Sequence, residues 1–314
     1  MMTLDKIKER LFEIKKHIRQ YNYVEFSMEI DKVIDKVPIP CLLTKEIPRI
    51  DAKQYQDPTL IFRARPNKKI STKTTMKLPW TNVKDISIVS DIDKGKIKFG
   101  RANKKGEPRF YASNSWVTSC YETIWHVFPH VYNSQSLTVG VWRIIEDLIL
   151  VRMPYSPTYI SQLKNVNSKT INKIEQYIKD DRENITSLHN QNHANLELNE
   201  FLLDFFTDEF AKPIIKDDFD YYFSNYYCDQ VFERCVNDQN KLDIDGIIFP
   251  SISYSYHNDN IVLHPRSLHK IKFIEAFYAW VVFHENINKM EFSPIHNPVH
   301  ADNEGNLKWE LFKE

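Results

Sequence analysis

Arg101, Tyr111 and Glu122 stand ten and then eleven residues apart in the segment FGRANKKGEPRFYASNSWVTSCYE, which runs from Phe99 to Glu122. A guanidinium, an aromatic ring and a carboxylate are what a site needs if it handles an anionic nucleotide that carries a cationic leaving group. The guanidinium grips a diphosphate bidentately, in a way that lysine cannot. The ring stacks on a cationic heterocycle and gains from its own quadrupole. The carboxylate stabilises positive charge developing at a sugar carbon and orients an incoming nucleophile. Arg101 is expected to hold the diphosphate, Tyr111 to stack, and Glu122 to be the catalytic carboxylate. Taken one at a time, each has a plainer reading: a solvated turn arginine, a core tyrosine, a water-facing helix glutamate.

Local pattern predicts the elements that must position these groups. Arg101 follows Gly100 and precedes a polar turn, Asn103 to Pro108. Phe110 and Tyr111 then read as a short strand, and Glu122 falls on a helix beginning near Ser115. Upstream, Leu4, Ile7, Leu11, Ile14 and Ile18 recur at helical spacing, which predicts a helix over residues 3 to 21 and a second near 23 to 35. Pro38, Pro40 and Pro48 break regularity, and Leu60 to Arg63 is a strand entry ended by Pro66. A polar stretch between Arg65 and Lys98 reads as a loop or an insertion. Leu137 to Met153 should supply strands, and residues 167 to 236 two or three helices, with HNQNHAN (His189 to Asn195) as a loop. Gly246 precedes IIFPS, a buried strand whose end presents Ser251. Beyond Pro265, IKFIEAFYAWVVF, MEFSPI and LKWELF read as strands appended to the sheet.

Composition narrows the function class. Lys plus Arg and Asp plus Glu both total 42 in 314 residues, so the formal charge is zero and no broad nucleic-acid footprint is expected. The first twenty residues are charged and amphipathic, and no later run has the length and apolarity of a membrane span, so a soluble cytoplasmic protein is expected. Cys41, Cys120, Cys228 and Cys235 form no CxxC pair and read as reduced thiols. His126 and His130 share a helical face with Glu122 on spacing alone, and His189 and His193 repeat that spacing. Pro129 and the lack of a second ligand cluster argue against a metal. Neither GxGxxG, a P-loop nor a GxSxG elbow occurs.

Taken in order, IFRAR, FGRANKKGEPRFYAS, SWVTSCYETIW and the downstream DGIIFPSISYSYHNDNIVLHP (Asp245 to Pro265) resemble the core motif of the RES-domain family, bacterial enzymes that degrade NAD. The resemblance maps the family's arginines to Arg63 and Arg101, its tyrosine to Tyr111, its glutamate to Glu122, its serine to Ser251 and its asparagine to Asn260. It implies an α/β (α+β) fold with a mixed β-sheet core related to ADP-ribosyltransferase toxins. N-terminal helices would occupy residues 1-55, a catalytic domain 56-267 with a helical insert at about 155-240, and a β-rich extension 268-314. NAD is the implied substrate, with no resident cofactor and no metal. Cleavage would fall at the nicotinamide-ribose bond, whose leaving group is already cationic and needs no Lewis acid. In that setting Arg63 joins Arg101 as a diphosphate donor, Ser251 partners a ribose hydroxyl, and Asn260 fixes the loop or the ligand. The implied partner is a helix-turn-helix antitoxin; no nucleic acid or membrane is implied, and an oligomer stays open. ADP-ribosyl transfer to a protein and a non-catalytic interaction module on the same fold are the alternatives. The chain departs from the family pattern at Ala102, where an aromatic residue is common, and at Gly100, which stands without a glycine partner.

Overall fold

The computed structural model describes residues 2–34, 41–44, 59–69, 77–89, 91–124, 134–160, 168–192, 196–234, 243–253, 258–284, 289–294 and 298–310. The chain divides into two compact units, one comprising Met1–Leu43, Lys98–Lys105 and Val151–Ile244, the other Thr44–Ile97, Gly106–Leu150 and Asp245–Glu314. The helices are α1 (Leu4–Lys16), α2 (Tyr23–Ile34), α3 (Val83–Ile86), α4 (Trp116–Ile124), α5 (Pro157–Ile160), α6 (Ser168–Asn192), α7 (Leu196–Phe210) and α8 (Tyr222–Asp229). The strands are β1 (Leu42–Thr44), β2 (Leu60–Pro66), β3 (Lys68–Lys69), β4 (Lys77–Leu78), β5 (Phe110–Ser113), β6 (Ser134–Ile144), β7 (Leu150–Arg152), β8 (Gly246–Pro250), β9 (Asp259–Leu263), β10 (Ile271–His284) and β11 (Lys289–Pro294).

The first unit is helical. In α1, Ile7, Leu11 and Ile14 form the buried stripe that the sequence spacing requires, with Asp5 in the first turn and Lys15 and Lys16 in the last, as the helix dipole favours. The helix stops at Lys16, short of the expected residue 21, and a 3₁₀ turn over Ile18–Gln20 leads to α2. Phe26, Ile30, Val33 and Ile34 are the buried face of α2. Phe26 meets Phe223 edge to face with ring centroids 4.8 Å apart, a favoured aromatic geometry. The Tyr226 hydroxyl donates to Asp31, and that of Tyr23 to Asp229, each at 2.7 Å. The N-terminal helices therefore share one core with α7 and α8. α6 continues through Asn192, so the expected loop is helical over His189 to Asn192; polarity suggested a break there, but no Gly or Pro supplies one. Residues 193–195 lie outside the described residues.

A nine-stranded sheet runs β1-β7-β8-β9-β5-β2-β6-β10-β11, and β3 and β4 form a small ribbon in the polar stretch after Arg65. Every pairing from β8 across to β11 is antiparallel. The chain is thus mixed α and β, as expected. Period-two alternation gives the sheet two buried faces. One carries Ile61, Phe110, Ala112, Trp142, Ile248, Ile261 and Leu263. The other carries Phe62, Ala64, Leu137, Val139 and Val281, and α4 packs on it through Cys120 and Ile124. Burial pushes the Cys120 thiol far up and leaves it inert.

LKWELF departs from expectation. Its described part makes only an isolated bridge, Ala301 to Leu307. The backbone N–H of Leu307 donates to Thr81 O at 2.7 Å and the Trp309 indole donates to Trp80 O at 2.8 Å, so its donors go to a loop and not to a strand ladder. Residues 311–312 lie outside the described residues. Among the described residues no helix is long and apolar enough to cross a membrane.

Candidate active site

Glu122 is carried on α4, which is fastened to β2 by polar groups as well as by packing. The Ala64 N–H donates to Ser119 Oγ at 2.7 Å, and Thr123 Oγ1 donates to Ala64 O at 3.2 Å. These bonds fix the rotation of α4 and with it the direction of Glu122. The carboxylate receives two hydroxyls from the connection that follows β8. Ser251 Oγ donates to Oε1 at 2.6 Å and Ser253 Oγ donates to Oε2 at 3.1 Å. Pro250 closes β8 one residue earlier, and Ser251 N–H donates to Asn258 O at 2.8 Å, which closes the connection and holds the buried Ser251 in place.

Asn260 lies on β9 opposite Ser113 of β5, and Ser113 Oγ donates to Asn260 Oδ1 at 2.6 Å. Beside them the backbone N–H of Asn114 donates to Asp259 O at 3.2 Å, and the N–H of Asp259 donates to Asn114 Oδ1 at 3.3 Å. Tyr111 pairs with Val262 and, by alternation from Phe110 and Ala112, points to the face on which α4 packs. Glu122, Ser251, Tyr111 and Asn260 thus belong to one side of one sheet.

The two arginines have backbone carbonyls as partners. Arg63 alternates with Phe62 and Ala64 and so projects from the opposite face, where its guanidinium lies 5.4 Å from the Phe110 ring centroid and donates to Tyr111 O at 2.7 Å. Its Nε is buried with no hydrogen-bond partner among the described residues. Burial, and then the like charge of Arg65, lower its pKa to about 10 despite an opposing pull from Tyr111. Arg65 shares that face, 4.5 Å from the Trp80 ring centroid, and donates to Asp85 O. Arg101 belongs to the helical unit, where Nη1 donates to Phe210 O and Nη2 to Lys212 O at 2.7 Å. These carbonyls lie at and just beyond the C-terminus of α7, so the guanidinium caps that helix end, with bonds and charge both favourable. Asn225 donates to Gly100 O at 2.8 Å, and Ala102 is fully buried, leaving no room for a larger residue there without repacking.

Ser253, Ser113 and Asn114 are polar partners that motif reading passed over. The Ser251-x-Ser253 repeat and the Ser113-Asn114-Ser115 run before a helix were the available signals. His126, His130 and His193 lie outside the described residues, and among those described no cluster of three or more His, Cys, Asp or Glu residues is placed to hold a metal. A carboxylate with both oxygens engaged by hydroxyl donors is held in a fixed orientation, which suits electrostatic stabilisation of a cationic centre or direction of a nucleophile toward it. No protein family matches the sequence, and no curated protein matches it.

Proposed function

We propose that this chain cleaves the nicotinamide-ribose bond of NAD, with Glu122 stabilising the oxocarbenium-like ribose and directing the acceptor. The observation that carries this reading is the carboxylate of Glu122 engaged at both oxygens by Ser251 and Ser253. The bond to be broken needs an oriented anion more than a proton donor, because nicotinamide leaves as a neutral ring from a cationic one. Tyr111, on the same sheet face, supplies an aromatic group for the ring that leaves. Water gives a glycohydrolase, phosphate a phosphorylase, and a protein side chain an ADP-ribosyltransferase; a toxin that depletes NAD and is restrained by a helix-turn-helix antitoxin fits the first two. Incubating the purified protein with NAD, with and without phosphate, and identifying products by mass spectrometry tests the reading. Release of nicotinamide is the expected result, and its absence refutes it.

A second reading has its own support. Arg101 spends its guanidinium on the end of α7 and Arg63 projects from the face opposite α4, so both arginines already serve the fold. In a non-catalytic interaction module nothing more is asked of them. Intact NAD after prolonged incubation, together with capture of a partner protein through the helical unit, is the outcome that favours this alternative.

A further inference from the structure

Glu122 is the third residue from the end of α4, where the helix dipole disfavours a negative charge. Its stabilisation must come from outside the helix, and among the described residues its hydrogen-bond donors are two serines. One donor would not suffice to aim it. The terminal torsion of a glutamate is broad, so a carboxylate held only at Oε1 can still swing Oε2. The turn at Ile252 and Ser253 brings the second hydroxyl back to Oε2 and closes that freedom. Ser251 is buried, whereas Ser253 is only partly so. Ser253 is thus the more exposed of the two donors.

We infer that Ser253 is a positioning residue, whose hydroxyl fixes the plane of the Glu122 carboxylate so that it faces the sugar carbon. The inference rests on the NAD-cleaving reading, and on no contact between Ser253 and substrate. Loss of this aim in the transition state corresponds to a rate loss of roughly tenfold, about 1.4 kcal/mol, while at the partly buried Ser253 water can replace the lost bond in the folded protein.

The test compares Ser253→Ala and Ser253→Thr with wild type in the full chain. Ser253→Ala should lower kcat for nicotinamide release about tenfold while leaving KM and the melting temperature unchanged, and Ser253→Thr, which keeps the hydroxyl, should recover most of the loss. An unchanged kcat overturns the inference. A raised KM at constant kcat overturns it too, since Ser253 would then bind substrate. If the alanine variant does not fold, Ser253→Cys, similar in volume and a weak donor, carries the same comparison. A second measurement separates this inference from the reaction reading: ¹³C relaxation of the Glu122 carboxyl carbon, assigned with Glu122→Gln. The carbon should be ordered in wild type and mobile in Ser253→Ala. Equal order in both overturns the positioning role, whether or not NAD is cleaved. Absence of nicotinamide release from wild type removes the reaction reading, and relaxation then decides the positioning role alone.

Discussion

Ser113 and Asn260 face each other across β5 and β9, and the Ser113 hydroxyl donates to the Asn260 amide oxygen at 2.6 Å, with both side chains almost fully buried. Asn260 therefore ties β9 to β5 immediately beyond the connection that delivers Ser251 and Ser253. Ser113→Ala leaves a buried acceptor without its donor and should cost about 1 to 3 kcal/mol in urea unfolding. A double-mutant cycle with Asn260→Ala should return a coupling well above the noise of the method. Strict additivity would deny the pair its role.

Glu122→Gln removes a charge and little volume. It should leave unfolding nearly unaltered and reduce NAD turnover by on the order of a hundredfold to a thousandfold, the usual loss of one transition-state electrostatic partner. Near wild-type turnover would exclude Glu122 as the catalytic carboxylate.

Arg101→Lys keeps the charge but loses the fork that reaches Phe210 O and Lys212 O together. The expected outcome is a lower melting temperature, equivalent to roughly 1 to 3 kcal/mol. Calorimetric NAD affinity measured beside it tells two roles apart: weaker binding with unaltered melting would return Arg101 to the diphosphate.

Gly246→Ala should destabilise, because a Cβ there would lie 2.5 Å from Val262 O, a backbone atom of the paired strand β9 that cannot turn aside. Forced overpacking of this kind costs about 1 to 3 kcal/mol. Gly95→Ala is the control, since a Cβ there meets nothing within 4 Å. Equal melting of the two variants would contradict the close approach of β8 and β9.

Burial pushes the Asp181 carboxyl up to about 6, outweighing the attraction of Arg152, whose guanidinium lies 3.1 Å away. The sign follows from proton uptake. Between about pH 6 and the unfolded value near 3.9 the folded protein holds the extra proton, so this group raises stability as pH falls through that window and lowers it as pH rises. Above pH 6 its ionisation opposes folding by on the order of 3 kcal/mol. Unfolding followed from pH 4 to 7 should show a shallower decline in Asp181→Asn than in wild type; parallel profiles would assign the slope to other groups.

Much of the site's scaffold is local in origin and was legible in the chain. The helical spacing of Ile7, Leu11 and Ile14, the strand entry at Leu60, the short strand at Phe110 and the helix bearing Glu122 each follow from periodicity and turn residues within a few positions. So does the placement of Ser251 at the end of a buried strand. Alternation along β2 even separates Phe62 from Arg63. It does not say which side α4 covers, because both faces carry apolar side chains and the choice is made by contacts such as those of Ser119 and Thr123 with Ala64, and so only the tertiary structure decided that Arg63 turns away from Glu122. The partners of Arg101 were equally hidden: they are backbone carbonyls more than a hundred residues away, and every residue carries a carbonyl. Ser253 reached the carboxylate, and the described part of LKWELF, residues 307–310, stayed out of the ladder, for the same reason. Residue type and spacing set which groups exist and which elements hold them, while the packing of distant segments sets which donor meets which acceptor.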